Sequence, residues 1–379
     1  MDLNSLSKYT KPDRQKRAMI EDILPKLYDI SKKEYLRPSY DFEECVCELD
    51  YTEKLTKICP KCGEKYPEYE NFCFECLVSL KDIRDVDIKS INVDHEFECE
   101  GSQRYADFTG IFTTENLITL NDFDFTRKDF NGVLKSIKST ALKSIDDAIK
   151  QNSIDMDSLT VLEKVLLFTK AFVDVEYKSY GQELGYYSFN RIFVDDRQLD
   201  ALQITTMLHE LTHFLIKEML TQIMCRLLDA SKTREIETIV MFILTYSKEN
   251  CLIDEYAAHT VEGRFTLFGY QDYSSFLNIQ KDIDLGENEI EMLKTIGNTF
   301  AHMIRTIIES FIDAEMLSNI KTQFRKDILD RPDYSQLVHE NCILLTYEGF
   351  FQAIQCILVE GFAFASENVE KLREINELW

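Results

Sequence analysis

Two histidines four residues apart with a glutamate beside the first, His209-Glu210-Leu211-Thr212-His213, are the residues of this chain best suited to chemistry. On an α-helix the two imidazoles project from nearly the same face and can reach one metal ion, with Glu210 beside them as a proton acceptor. That pattern suits a hydrolytic zinc site that activates water. The chain has 6 histidines in 379 residues, so a chance match is expected in roughly one such chain in a hundred. The flanking residues agree with the motif. From Thr206 to Leu215 every position outside the motif is uncharged, and neither Pro nor Gly interrupts the run. Met207, Leu208, Leu211, Phe214, Leu215, Met219 and Leu220 recur at helical spacing, which predicts a buried helix. Burying two His and a Glu without partners costs several kcal/mol, and zinc supplies the compensation. The plainer alternative is a pair of core histidines beside a surface glutamate.

A catalytic zinc needs a third protein ligand, and Glu255 is the best candidate. Asn250 to Arg264 reads as a helix with Gly263 near its end, placing Glu255, His259 and Glu262 on one stripe. A solvated face is the ordinary reading of such a stripe. Leu252, Ile253, Tyr256, Ala257, Ala258 and Val261 cover much of the remaining surface and favour burial instead. Two His and one Glu leave the fourth zinc position to water, the arrangement of a catalytic rather than a structural site. His259, Tyr256 and Tyr187 are candidate donors to the charge that develops in the transition state.

His209-Glu210-x-x-His213 followed by Asp254-Glu255-Tyr256-Ala257-Ala258 resembles a gluzincin metallopeptidase, of the compact kind related to the ImmA/IrrE group, over roughly residues 155 to 265. The resemblance implies Glu210 as general base and His209, His213 and Glu255 as zinc ligands. The interval between His213 and Glu255 is longer than in a thermolysin-like arrangement and admits an extra helix, Thr233 to Lys248. Before the motif, Tyr186 to Asp195 is aromatic and β-branched, which predicts a strand leading into the active helix. Such an edge can bind an extended peptide as an added strand, although a strand that only packs the core fits equally.

A second metal site is encoded by Cys59-Pro-Lys-Cys62 and Cys73-Phe-Glu-Cys76. Four thiolates close a tetrahedral shell, so this pair of knuckles resembles a structural zinc ribbon. A disulfide reading needs an oxidising compartment, and residues 1–17 are polar and basic without the apolar core of a secretory signal. Cys45 and Cys47 form a CxC read as free thiols, with spare ligands or a latency thiolate as alternatives; the other cysteines read as buried thiols. The ribbon region holds five Lys against six acidic residues, so protein contact or a spacer role fits better than nucleic-acid binding.

Composition sets the outer bounds. A hydrophobic content of 45% belongs to a globular chain, and a net charge of −24 opposes attraction to nucleic acid or anionic membranes. No apolar stretch approaches the roughly 20 residues of a membrane span, and a cytoplasmic protein is expected. The expected class is α+β, mainly α. Its parts are a helical N-terminal arm (1–50), a zinc ribbon (51–82), a connecting α/β segment (83–150) with β-like pieces at 110–114 and 116–120, a zincin-like catalytic core (151–268) and a helical C-terminal region (269–379). The function expected is zinc-dependent hydrolysis of a peptide or protein substrate, with two zinc ions per chain. The rival expectation is a regulatory or protein-binding chain that keeps a metal-stabilised zincin fold without turnover.

Overall fold

The computed structural model describes residues 55–379 apart from 60, 63, 68–71, 80, 83–86, 179–183, 267–272, 329–342 and 379. The arm expected at 1–50, with Cys45 and Cys47, lies outside the described residues. The class is α+β, mainly α.

Short strands surround the paired cysteines. β1 (Leu55–Ile58), β2 (Lys65–Pro67) and β5 (Lys81–Asp82) form an antiparallel sheet in the order β2-β1-β5, while β3 (Phe72–Cys73) pairs with β4 (Val78–Ser79). Lys65 joins this unit to the rest of the chain through Asp155, at 2.8 Å.

The next segment departs from expectation. Among its described residues there is no named strand, and the pieces expected to be β-like lie in α1 (Phe108–Ile111) and α2 (Thr114–Asp122). Local capping accounts for the difference. Asp107 accepts from the Gly110 amide and Thr113 from the Asn116 amide, so each helix start is served by its own side chain, and this outweighs the β-branched residues between. α3 (Arg127–Asn152) and α4 (Val161–Lys170) follow, each opened by a capping box, Thr126 with Asp129 and Thr160 with Glu163.

A small mixed sheet leads into the helix that carries His209, Glu210 and His213. β6 (Asp174–Tyr177) runs parallel to β8 (Arg191–Val194), which pairs antiparallel with β7 (Gly185–Ser188) in the order β6-β8-β7. The single strand expected over 186–195 is therefore a hairpin, turned at Phe189 with φ 56°. Ser188 pairs with Arg191 across that turn.

α5 (Asp200–Leu227) carries the HExxH residues and is buried from Ala201 to Cys225 except at His209. Apolar residues on every side place such a helix inside other layers. Its first turn has no side-chain cap at Leu199; the Ala201 amide donates instead to Asp327 Oδ2 at 3.0 Å. α6 (Arg234–Tyr246) occupies the interval before α7 (Lys248–Gly263), whose start is capped by Ser247. α8 (Ser274–Lys281) and α9 (Glu287–Ile308) pack on α7, and α10 (Ala314–Ile328), which supplies Asp327, packs on α5. Lys217 on α5, 1% exposed, donates to Asn190 Oδ1 and Glu237 Oε1, each at 2.9 Å, and so ties the hairpin turn to α5 and α6.

α11 (Tyr347–Ser366) and α12 (Val369–Asn376) end the chain. Contrary to expectation, α11 is long and apolar enough to cross a membrane by length and composition, the one such helix among the described residues. Half of that apolar window is buried inside the structure, and the helix packs on α6 and α2.

Close approach of α9 to α7 depends on Gly297, where an added Cβ would stand 2.7 Å from the Ile253 carbonyl oxygen and 3.2 Å from Tyr256. Gly297→Ala should push the two helices apart and cost about 1–3 kcal/mol. Gly263→Ala, with nothing within 4 Å of the new methyl, should be neutral or stabilising by up to about 1 kcal/mol. Denaturant unfolding of the two variants checks this; equal effects would show that the contact does not set the helix spacing.

Candidate metal centre

α5 and α7 meet along one seam, and the candidate site residues lie on it. On α5, His209 and His213 are one helical turn apart with Nε2 atoms 3.2 Å from each other. Two nitrogens that share a zinc ion at 2.0–2.1 Å in tetrahedral geometry stand about 3.3 Å apart. Opposite them on α7, Glu255 places Oε2 3.7 Å from His209 Nε2 and Oε1 4.0 Å from His213 Nε2. These three side chains could hold a zinc ion with small adjustments.

The outward nitrogens of both imidazoles are also occupied. His213 Nδ1 stands 2.8 Å from Asp254 Oδ2, and His209 Nδ1 stands 3.1 Å from Glu262 Oε2. A neutral imidazole that donates its Nδ1 proton to a carboxylate keeps its Nε2 lone pair for a metal, which selects the tautomer a ligand needs. Asp254 and Glu262 flank Glu255 on the same helix. One element therefore carries all three carboxylates that face the imidazoles of α5.

A second grouping shares two of these residues: His209, Glu255 and His259 have one ligand atom each within 4.8 Å of one another. His259 Nε2 lies 3.8 Å from Glu255 Oε2, but it stands only 2.6 Å from Ser275 Oγ. The outer nitrogens of all three imidazoles stand on carboxylates, Glu262 for His209 and His259 and Asp254 for His213; the two sets differ in that His209 and His213 turn their Nε2 atoms toward each other while His259 turns its own to Ser275.

Glu210 is 8% exposed and accepts a hydrogen bond from the Tyr187 backbone on β7, which pairs with β8 on its other edge. Burial raises the Glu210 carboxyl above its ordinary range, opposed by the neighbouring histidines. Burial alone would lower the histidines. For His209 the hydrogen bonds with Glu255 and Glu262 reverse this and hold it well above its usual value, while Asp254 brings His213 up to about 9. Glu262 is likewise lifted by burial, yet its bonds to His209 and His259 bring it down to about 2.

The three expected transition-state donors are placed differently. His259 borders the centre. Tyr256 is 1% exposed and packs against Tyr273 and Phe276. The Tyr187 hydroxyl is buried without a hydrogen-bond partner, and it is the backbone of that residue that meets Glu210. The sequence places Glu262 on one stripe with Glu255 and His259, and Asp254 beside Glu255, but does not indicate their contacts with His209 and His213. Ser275 gave no signal, since it comes from another helix.

The four ribbon cysteines also converge. Cys59, Cys62, Cys73 and Cys76 have sulfurs within 4.8 Å of one another, with Cys62 and Cys73 at 3.9 Å. Tetrahedral zinc with bonds of about 2.3 Å spaces its sulfurs about 3.8 Å apart. Burial raises the Cys59 thiol, but amides of Cys62 and Lys61, at 3.5 and 3.4 Å from its sulfur, help bring it down to about 6. These contacts suit a thiolate.

Metal binding at the histidine centre must displace protons, since His213 in the metal-free chain is protonated below about pH 9. Zinc affinity there should fall by about tenfold per pH unit for each displaced proton as pH drops from 8 to 6. Chelator competition at several pH values checks this, and a pH-independent affinity would contradict it. In the metal-free chain the same His213 shift adds stability that is complete below about pH 6.5 and is lost as pH rises through about 9.

The chain matches no protein-family model, no curated protein and no solved structure.

Proposed function

We propose that the chain is a zinc-dependent peptidase of gluzincin type, with His209, His213 and Glu255 as ligands and Glu210 as general base. One observation carries this reading: the facing Nε2 atoms of His209 and His213, 3.2 Å apart, with Glu255 opposite and Glu210 in the same helical turn. Zinc at this position would polarise a carbonyl and acidify a water, the chemistry that amide hydrolysis lacks at neutral pH. Glu210 takes the proton from the attacking water and returns it to the departing nitrogen. The Tyr187 amide orients that carboxylate. Asp254 and Glu262 keep the two imidazoles in the ligand tautomer throughout. A peptide laid along β7 would bring its carbonyl to the same seam, since β7 packs directly on α5.

The ribbon is proposed as a structural zinc site that also presents a contact for another protein. Phe74 and Leu77 on its second knuckle are 75% and 73% exposed, as an apolar contact requires. A cytoplasmic setting agrees with the free thiols of the described cysteines.

Glu210→Gln preserves shape and removes the base, so it should keep two zinc ions per chain and lose peptide hydrolysis by about 10²–10⁴-fold. Glu255→Ala should instead lose the weaker zinc, and replacing Cys59 and Cys62 with Ser should lose the other. Elemental analysis with cleavage of an unfolded-peptide library separates these cases. Wild type that carries two zinc ions and cleaves no faster than Glu210→Gln would favour a regulatory protein over an enzyme. A single zinc in the replete wild type would sink the two-site reading.

A further inference from the structure

We infer that Ser275 is a positioning residue of the metal centre: its hydroxyl holds Glu255 in place as a ligand and keeps His259 out of the ligand set. This rests on the proposed zinc site. Ser275 lies in the first turn of α8, and its hydroxyl reaches across to α7. Its O–H donates to Glu255 Oε2 at 2.5 Å, and Oγ lies 2.6 Å from His259 Nε2.

A serine hydroxyl has one proton to give. Spent on Glu255, it leaves Oγ as an acceptor, so His259 must present a proton at Nε2. An imidazole protonated there has no lone pair at that atom and cannot ligate a metal through it. One hydroxyl therefore sets the roles of two neighbouring side chains. With its proton at Nε2, neutral His259 has none to give Glu262 Oε2, which lies 3.3 Å from Nδ1, and its ring is held instead by Ser275 and by Tyr273 at 5.0 Å between centroids. His259 is fixed beside the centre, within reach of a reacting group and outside the metal's shell.

Glu255 needs such a restraint more than the histidines do. Its side chain is 22% exposed, against 12% for His209 and 10% for His213, so it has the most room to swing toward water. Asp254 and Glu262 hold the two imidazoles, and Ser275 is the matching support for the carboxylate. Serving the start of its own helix does not explain Ser275: the start of α8, at Tyr273, has no side-chain capping bond, and the Ser275 hydroxyl meets α7 instead.

Zinc affinity of the full chain, measured by chelator competition, tests this with Ser275→Ala, Ser275→Thr and a His209→Ala/His213→Ala control. Ser275→Ala should weaken the less tightly held zinc by about 10–100-fold, the usual effect of losing a group that orients a ligand, and Ser275→Thr should stay within about threefold of wild type. The cobalt(II)-substituted Ala variant should show a shifted visible spectrum, while its metal-free chain stays folded and its tighter zinc matches wild type. Unchanged affinity in Ser275→Ala, or a loss that Thr does not restore, overturns the inference while the zinc site stands. Equal zinc content in wild type and the His209→Ala/His213→Ala control instead removes the site, and the inference with it.

Discussion

Burial of opposite charges along the α5–α7 seam is the constraint on which the rest of the structure depends. Four carboxylates, from Glu210, Asp254, Glu255 and Glu262, meet three imidazoles where little water reaches. Ionised groups in such a place are costly unless each has a partner in good geometry. Here every imidazole faces a carboxylate, and Glu255 faces all three. The arrangement is nearly complete without metal and leaves the two Nε2 atoms 3.2 Å apart at hydrogen-bond distance, where a divalent cation would replace the protons they hold.

The surrounding elements hold that seam at a fixed spacing. α7 is pressed toward α5 by α9, which comes close because Gly297 has no side chain. The start of α5 is satisfied by Asp327 from a distant part of the chain, so the helix can begin inside the fold. Gly185 performs a similar service on the strand side: a Cβ there would lie 2.6 Å from Thr206 Cγ2. Its absence lets β7 approach α5 until the Tyr187 amide meets Glu210. The buried ammonium of Lys217 anchors the far end of that hairpin.

Much of this was legible in the sequence because it depends on short-range periodicity. The HExxH spacing places two imidazoles on one face wherever a helix forms, and the apolar flanks made that helix a buried one. The stripe of Glu255, His259 and Glu262 followed from the same rule. Less was legible where long-range packing decides. Nothing local marks Ser275 as a neighbour of Glu255, since the two meet only when α8 folds onto α7. The segment from Gly110 to Leu120 looked β-like by composition, yet capping by Asp107 and Thr113 makes it helical. Phe189 turns the chain with a φ of 56°, a conformation its residue type does not advertise. The length and apolar character of α11 were likewise underestimated, because its hydrophobic residues are interspersed with Gly, Gln and Glu.

The central claim is that His209, His213 and Glu255 form one zinc site with an open fourth position. Anomalous diffraction at the zinc edge, from a crystal of the metal-replete chain, tests it most directly. The account predicts a peak within about 2.0–2.2 Å of both Nε2 atoms and of a Glu255 oxygen, with His259 still against Ser275. A peak coordinated by His259 in place of His213, or no peak on this seam, would contradict it.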